Sequence, residues 1–323
     1  MPHVAGVRHS YVDVDGLLMH VAEAGQGEPL VMVHGWPQHW YMWRHLIPEL
    51  ARNHRVICPD LRGFGWTEAP ATGYRKEEMA ADVVGLLDAL GVDRFHLVGH
   101  DWGAYVGFVL ALQHPERVRG YLALSMTHPW PPLGIPQALG AWRFFYMALL
   151  DKPVLSPLLL QRYPALVRAM LSAARPAAWT PEEVAAFVDR TRDPARAAAM
   201  SAVYRVFTTR EAFPLLRGRY RDVRLQVPTR LVVGRHDPVI RPALLEGFAD
   251  HADDMEVELI PGGHFIADEQ PEAVLAQLRA AFAWRRPRAG KPAATRQGSR
   301  RAAKKKRGRP RPAARGSRKV RPG

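Results

Sequence analysis

Cysteine is almost absent from this chain. Cys58 is the only one, so no disulfide can form within it, and its core must hold the fold together. Such usage fits a reducing, cytoplasmic compartment. Long apolar runs are also missing. No stretch approaches the ~18 uncharged residues of a membrane-spanning helix, so none is expected. Met1-Pro2-His3-Val4 has no basic segment leading into an apolar core, so no signal peptide is expected. The histidines form no close cluster with metal-ligand spacing, and neither a metal nor an organic cofactor is implied.

Acidic residues are missing from one region. Residues 285–323 hold 17 of the 45 Lys and Arg and no Asp or Glu, which leaves 28 bases against 31 acids in residues 1–284. The formal charge of +14 therefore belongs to the tail, and the body is mildly acidic. From Pro287 onward there is no aromatic residue either, so the tail cannot bury a core and should be disordered. Its composition implies a polyanionic partner, nucleic acid among them. Within it, Arg307-Gly308-Arg309-Pro310 resembles an AT-hook, a segment that lies in the narrow minor groove of A·T-rich DNA. A generic polycation is the plainer reading of the same residues.

The body shows short apolar strands alternating with helices. Strands are expected at Tyr11–Val14 and Leu18–Ala22, joined by the hairpin signal Asp15-Gly16. Others are expected at Leu30–Val33, Arg55–Cys58, Phe95–Val98, Val118–Ser125, Thr229–Val233 and Val257–Ile260. Helices are expected at Trp43–Leu50, Glu77–Leu90, Ala104–Leu112 and Pro271–Trp284. This alternation predicts an α/β protein with a mostly parallel sheet and helices on both faces. From His128 to Leu225 the strand pattern disappears and Pro-punctuated, Ala- and Leu-rich segments read as helices. The expected layout is a core at 1–127 and 226–284, a helical cap at 128–225 and a basic tail at 285–323.

The chemistry is concentrated at strand ends. Gly99-His100-Asp101-Trp102-Gly103 has the frame of a nucleophile elbow, with the exposed apex occupied by aspartate rather than serine. The two glycines suit the crowded strand-to-helix turn. A carboxylate nucleophile suggests attack on a saturated carbon bearing a leaving group, an epoxide or an alkyl halide. Asp237 follows the strand at Leu231–Val233, and His264 lies in the loop Pro261-Gly262-Gly263-His264-Phe265. In that order the three make a nucleophile–acid–histidine triad. Asp101 would form an alkyl-enzyme ester, His264 would activate water against it, and Asp237 would orient the imidazole. The backbone N–H groups of Trp36 and Trp102 would hold the oxyanion.

His34-Gly35-Trp36-Pro37-Gln38-His39-Trp40-Tyr41-Met42-Trp43-Arg44 resembles the oxyanion segment of epoxide hydrolases of the α/β-hydrolase fold. Asp60-Leu61-Arg62-Gly63-Phe64-Gly65 resembles the D-x-R-G-x-G loop of that family, and His100-Asp101-Trp102-Gly103 is common to it and to haloalkane dehalogenases. The resemblance spans residues 8 to 284 and implies the α/β-hydrolase fold with an inserted helical cap. It also implies two cap tyrosines that protonate the opening epoxide. Tyr146, in Phe144-Phe145-Tyr146, and Tyr204, in Tyr204-Arg205, are the residues it points to. Tyr163, beside Pro164, reads as structural, and Trp130, Trp142 and Trp179 as pocket walls. Asp60 and Arg62 read as loop-pinning residues in a local ion pair, His34 as ordering the oxyanion loop, and His39 and His236 as bystanders. The expected activity is hydrolysis of a small hydrophobic epoxide to a diol. Haloalkane dehalogenation by the same triad, or a nucleic-acid-associated protein acting through its tail, are the alternatives.

Overall fold

The hairpin forms first along the chain. β1 (Arg8–Val14) pairs antiparallel with β2 (Leu17–Ala24), with Val14 opposite Leu17. Asp15 and Gly16 between them both have positive φ, 50° and 85°, as the two-residue turn requires. The remaining strands are β3 (Glu28–Val33), β4 (His54–Pro59), β5 (Phe95–His100), β6 (Val118–Leu124), β7 (Thr229–Gly234) and β8 (Met255–Ile260). They make one eight-stranded sheet in the order β1-β2-β4-β3-β5-β6-β7-β8. Only β1–β2 and β2–β4 are antiparallel. The central strands are apolar runs because helices cover them: Val31, Met32, Val33, Leu97 and Val98 are wholly buried.

The computed structural model describes residues 1–130, 145–172 and 179–283. Met1–Arg285 forms one compact unit, and the basic tail lies outside the described residues. In the first half of the sheet, α2 (Lys76–Ala89) and α3 (Trp102–Gln113) correspond to expected helices. The helix expected at Trp43–Leu50 is shorter. A 3-10 turn at Trp40–Trp43 precedes α1, which covers only Ile47–Leu50. Pro48 lacks an N–H and is tolerated only in a first helical turn, so the helix starts at Ile47.

Between β6 and β7 the described residues contain no strand. They form α4 (Phe145–Leu150), α5 (Leu155–Arg162), α6 (Pro164–Leu171), α7 (Pro181–Val188) and α8 (Pro194–Val206), then a π-helical turn at Phe207–Glu211 and α9 (Ala212–Leu216). Proline opens α6, α7 and α8, where its missing N–H costs nothing. Thr180 caps α7 reciprocally with Glu183, its hydroxyl accepting from the Glu183 N–H at 3.3 Å. After β8 come α10 (Ile266–Glu269) and α11 (Pro271–Ala283), the latter packed on β6.

Strand register positions the site. Val33 pairs with Gly99, so the chain leaving β3 emerges beside the chain leaving β5. Gly234 pairs with Ile260, which brings the loops after β7 and β8 together. The turn between β5 and α3 is tight enough that a Cβ on Gly99 would lie 2.6 Å from the Ala104 Cα, and one on Gly103 would lie 2.7 Å from the His34 carbonyl carbon. Gly103→Ala should therefore destabilise the protein by about 1–3 kcal/mol through overpacking against backbone, read as a lowered midpoint in thermal unfolding. A wild-type midpoint would show that the elbow has more room than its geometry indicates.

Candidate active site

Asp101 sits at the apex of the β5–α3 turn with φ 49° and ψ −127°, a strained conformation for any residue with a side chain. Its N–H is held by the Leu124 carbonyl at 3.0 Å. The carboxylate is largely covered, with a side-chain exposure of 13 %, so the apex is less open than the sequence suggests. One oxygen, Oδ2, accepts the Trp36 N–H at 2.8 Å. Gly35 makes that approach feasible, since a Cβ there would lie 2.5 Å from the Asp101 Cβ. The other oxygen, Oδ1, lies 3.6 Å from His264 Nε2. Burial works against the charge on Asp101. The nearby charge of His264, with the Trp102 N–H, overcomes it and holds the carboxyl below its usual range.

His264 Nδ1 lies 2.9 Å from Asp237 Oδ2. The other Asp237 oxygen accepts the N–H groups of Val239 and Ile240 at 2.8 and 2.9 Å, which fixes the carboxylate's orientation. Burial disfavours the imidazolium, but the Asp237 and Asp101 carboxylates outweigh it and raise the ring from 6.5 to about 10. His100 donates from Nε2 to the His264 carbonyl at 2.9 Å and so braces that loop. Burial lowers His100 to about 4, so it stays neutral.

Two phenols lie near the carboxylate. Tyr204, on α8, is buried, and its ring packs edge-on against Trp36 at 5.7 Å, Trp102 at 5.6 Å and Tyr146 at 5.9 Å. Burial raises both phenols above their usual range, and the Asp101 charge adds to the rise in each. The structure thus brings Tyr146, Tyr204, Trp36, Trp102, Asp101, Asp237 and His264 together. Tyr163 is exposed and lies elsewhere. Trp179 packs against Phe265, next to His264, at 5.2 Å. Trp130 instead donates to the Tyr220 carbonyl and stacks on His251. Trp142 lies outside the described residues.

Several supporting residues differ from their sequence expectations. Asp60 and Arg62 do not pair with each other. Arg62 forms a two-pronged bridge to Asp82 at 2.5 Å, because its side chain is directed toward α2. Asp60 is wholly buried and accepts from the Trp40 and Trp66 N–H groups and from His20 at 2.7 Å. Burial opposes its charge, yet the His20 hydrogen bond and charge, with His39 and His34 nearby, lower it to about 2. His34 donates from Nδ1 to the Gly35 carbonyl and accepts the Leu61 N–H at Nε2, ordering the loop before Trp36. His236 is exposed, whereas His39 is buried and reaches the Ala186 carbonyl on α7.

Arg44, Asp268, Gln38 and Glu183 form a network that sequence reasoning did not single out. Arg44 bonds Asp268 at 2.5 Å and Glu183 at 2.7 Å, and Gln38 donates to Asp268 at 2.9 Å. Only an arginine set within a buried aromatic stretch hinted at it. Among the described residues, no group of three or more His, Cys, Asp or Glu is arranged to hold a metal ion. Among them, too, no helix is long and apolar enough to cross a membrane.

A protein-family model described as alpha/beta hydrolase fold matches residues 28–271. A soluble epoxide hydrolase from Corynebacterium sp. (strain C12) is 33% identical over 282 residues, covering 83% of this chain and 95% of that protein. This chain is an epoxide hydrolase-like alpha/beta hydrolase. Epoxide hydrolase A of Mycobacterium tuberculosis is 31% identical over 307 residues, 83% of this chain and 94% of the relative. Among solved structures, epoxide hydrolase CorEH without ligand superposes with a TM-score of 0.74 at 31% identity, covering 86% of this hydrolase and 99% of that chain.

The charge arrangement makes a pH-dependent prediction. A histidine whose folded-state value lies above 6.5 stabilises the fold fully below about 6.5, and that contribution is lost as pH rises through about 10. Asp101→Asn removes one of its two carboxylate partners. His264 in that variant should titrate well below about 10 when followed by imidazole NMR, and the alkaline loss of stability should be smaller and complete at lower pH. An unmoved titration would show that Asp101 and His264 are not electrostatically coupled.

Proposed function

We propose that this protein hydrolyses a hydrophobic epoxide to a vicinal diol through a covalent ester on Asp101. Oδ1, the oxygen facing His264, attacks an epoxide carbon as the carbon–oxygen bond breaks. Tyr146 and Tyr204 stand as the acids for the departing alkoxide. Keeping the phenols protonated in a buried, acidic setting suits them to donate a proton. The cap, residues 128–225, supplies this half of the site.

Esterification neutralises Asp101. His264 then loses one of the two carboxylates that hold its proton, and its basicity falls toward the range where it can act as a general base. It gives up its proton through solvent to the phenolate and, as neutral imidazole, takes one from water, and the hydroxide adds to the Asp101 carboxyl carbon. The resulting oxyanion is Oδ2, already facing the Trp36 N–H at 2.8 Å, with the Trp102 N–H as second donor. Collapse breaks the acyl–oxygen bond and releases the diol. The two water protons end on the departing alcohol oxygen and on His264, which restores the resting charges.

The observation that carries the choice of an epoxide is the phenol pair, with ring centroids 5.9 Å apart and both hydroxyls sensing the Asp101 charge. An alkoxide leaving group needs a proton, whereas a halide does not. The aromatic walls formed by Trp36, Trp102, Tyr204 and Phe207 favour an apolar substrate.

Single turnover in heavy-oxygen water is expected to label Asp101, with label reaching the diol only in later cycles. Label in the first diol released rules out the ester. Replacing both phenols, Tyr146→Phe with Tyr204→Phe, is expected to lower styrene oxide turnover by at least about 100-fold while unfolding stays near wild type. Turnover within a few-fold of wild type would sink the assignment of the acids.

A further inference from the structure

Lys76 is the first residue of α2, and its side chain is wholly buried. Local rules are against it there. A cation at a helix N-terminus opposes the backbone dipole, and a buried ammonium must be paired to be tolerated at all. Glu211, at the end of the π-helical turn, supplies the pair. Its Oε2 accepts from Lys76 Nζ at 2.8 Å, and its Oε1 accepts the Lys76 backbone N–H at 2.7 Å. A hydrophobic pair of similar volume commonly serves stability as well as such a bridge, so its presence suggests another role.

The ammonium also faces the site. Nζ lies 4.6 Å from the centroid of the Trp102 ring and 5.6 Å from that of Phe207. It donates to the Val203 carbonyl at 3.3 Å, the residue before Tyr204. Trp102 in turn packs edge-on against Tyr204, with ring centroids 5.6 Å apart. The turn that carries Glu211 is π-helical, a local irregularity common at functional sites. The charged groups around Lys76 are Glu211, Glu77 and, through the indole, Asp101.

We propose that the buried Lys76–Glu211 pair is a positioning device for Tyr204, gripping the Trp102 indole and the Val203 carbonyl so that the phenol is held over Asp101. This rests on Tyr204 acting as an acid in epoxide opening. The pair therefore serves ester formation and not ester hydrolysis, which depends on His264.

The test uses the full chain with styrene oxide, quenching in acid and measuring the protein-bound ester and the diol separately. The variant is Lys76→Met with Glu211→Gln, which leaves no uncompensated charge and keeps an acceptor for the backbone N–H. It is expected to form the ester about tenfold more slowly and to hydrolyse preformed ester at the wild-type rate. Lys76→Arg, which keeps a cation against the indole, is expected to stay within about threefold of wild type in ester formation. In a Tyr204→Phe background, the Met and Gln substitutions should add less than about a twofold further loss. Full additivity, equal slowing of both steps, or unchanged ester formation in the paired variant overturns the inference. Wild-type ester formation in Tyr204→Phe alone overturns the tyrosine reading, and the inference with it.

Discussion

A carboxylate buried beneath aromatic rings costs several kcal/mol unless donors and a cation surround it. Most of the polar architecture of this protein answers that one cost. Asp101 takes an N–H from Trp36 and the charge of His264. The imidazolium requires its own carboxylate, Asp237, and Asp237 requires the N–H groups of Val239 and Ile240. Trp36, His264 and Asp237 lie on three different strand-end loops and Asp101 on a fourth, so the sheet must hold four loops in register for one charge to be tolerated. Under the proposed ester mechanism, resting stability and reactivity share a single electrostatic balance, in which esterifying Asp101 changes the basicity of His264.

The helices between β6 and β7 are joined to the core by charge as well as by apolar contact. Arg44 links Asp268, four residues after His264, to Glu183 on α7. Lys76 links α2 to Glu211. Arg190 and Arg196 both donate to the Gly65 carbonyl, at 3.0 and 2.6 Å. These anchors all come from the second half of the helical region, from Glu183 to Glu211, and tie it to the core. The proposed role of Tyr146 and Tyr204 would need such anchoring, because a shift of about 1 Å in a reacting group can cost orders of magnitude in rate.

Much of the fold was legible in the chain. Val31-Met32-Val33 and Phe95–Val98 read as buried strands because strands covered on both sides carry no alternation. Asp15-Gly16 read as a hairpin because few residue pairs accept positive φ twice. The helix at Trp43–Leu50 was overestimated because apolar spacing outweighed Pro48. Asp101, Asp237 and His264 were visible as candidates because each follows a strand and lies within or beside Gly-rich chain. Tyr146 and Tyr204 were candidates only through resemblance, since a tyrosine within an apolar or Ala-rich helix carries no local signature of a catalytic role.

The linear order of residues determined what could be decided locally: the strand ends, the sharp turn at Gly99–Gly103, and the separation of a neutral-to-acidic body from a basic tail. Only the tertiary structure decided the partners of the buried charges. Arg62 pairs with Asp82 rather than Asp60, Lys76 meets Glu211 across 135 positions, and Arg44 reaches Asp268 across 224. An ion pair is specified by distance in space and by the low dielectric around it, and neither is written in neighbouring residues.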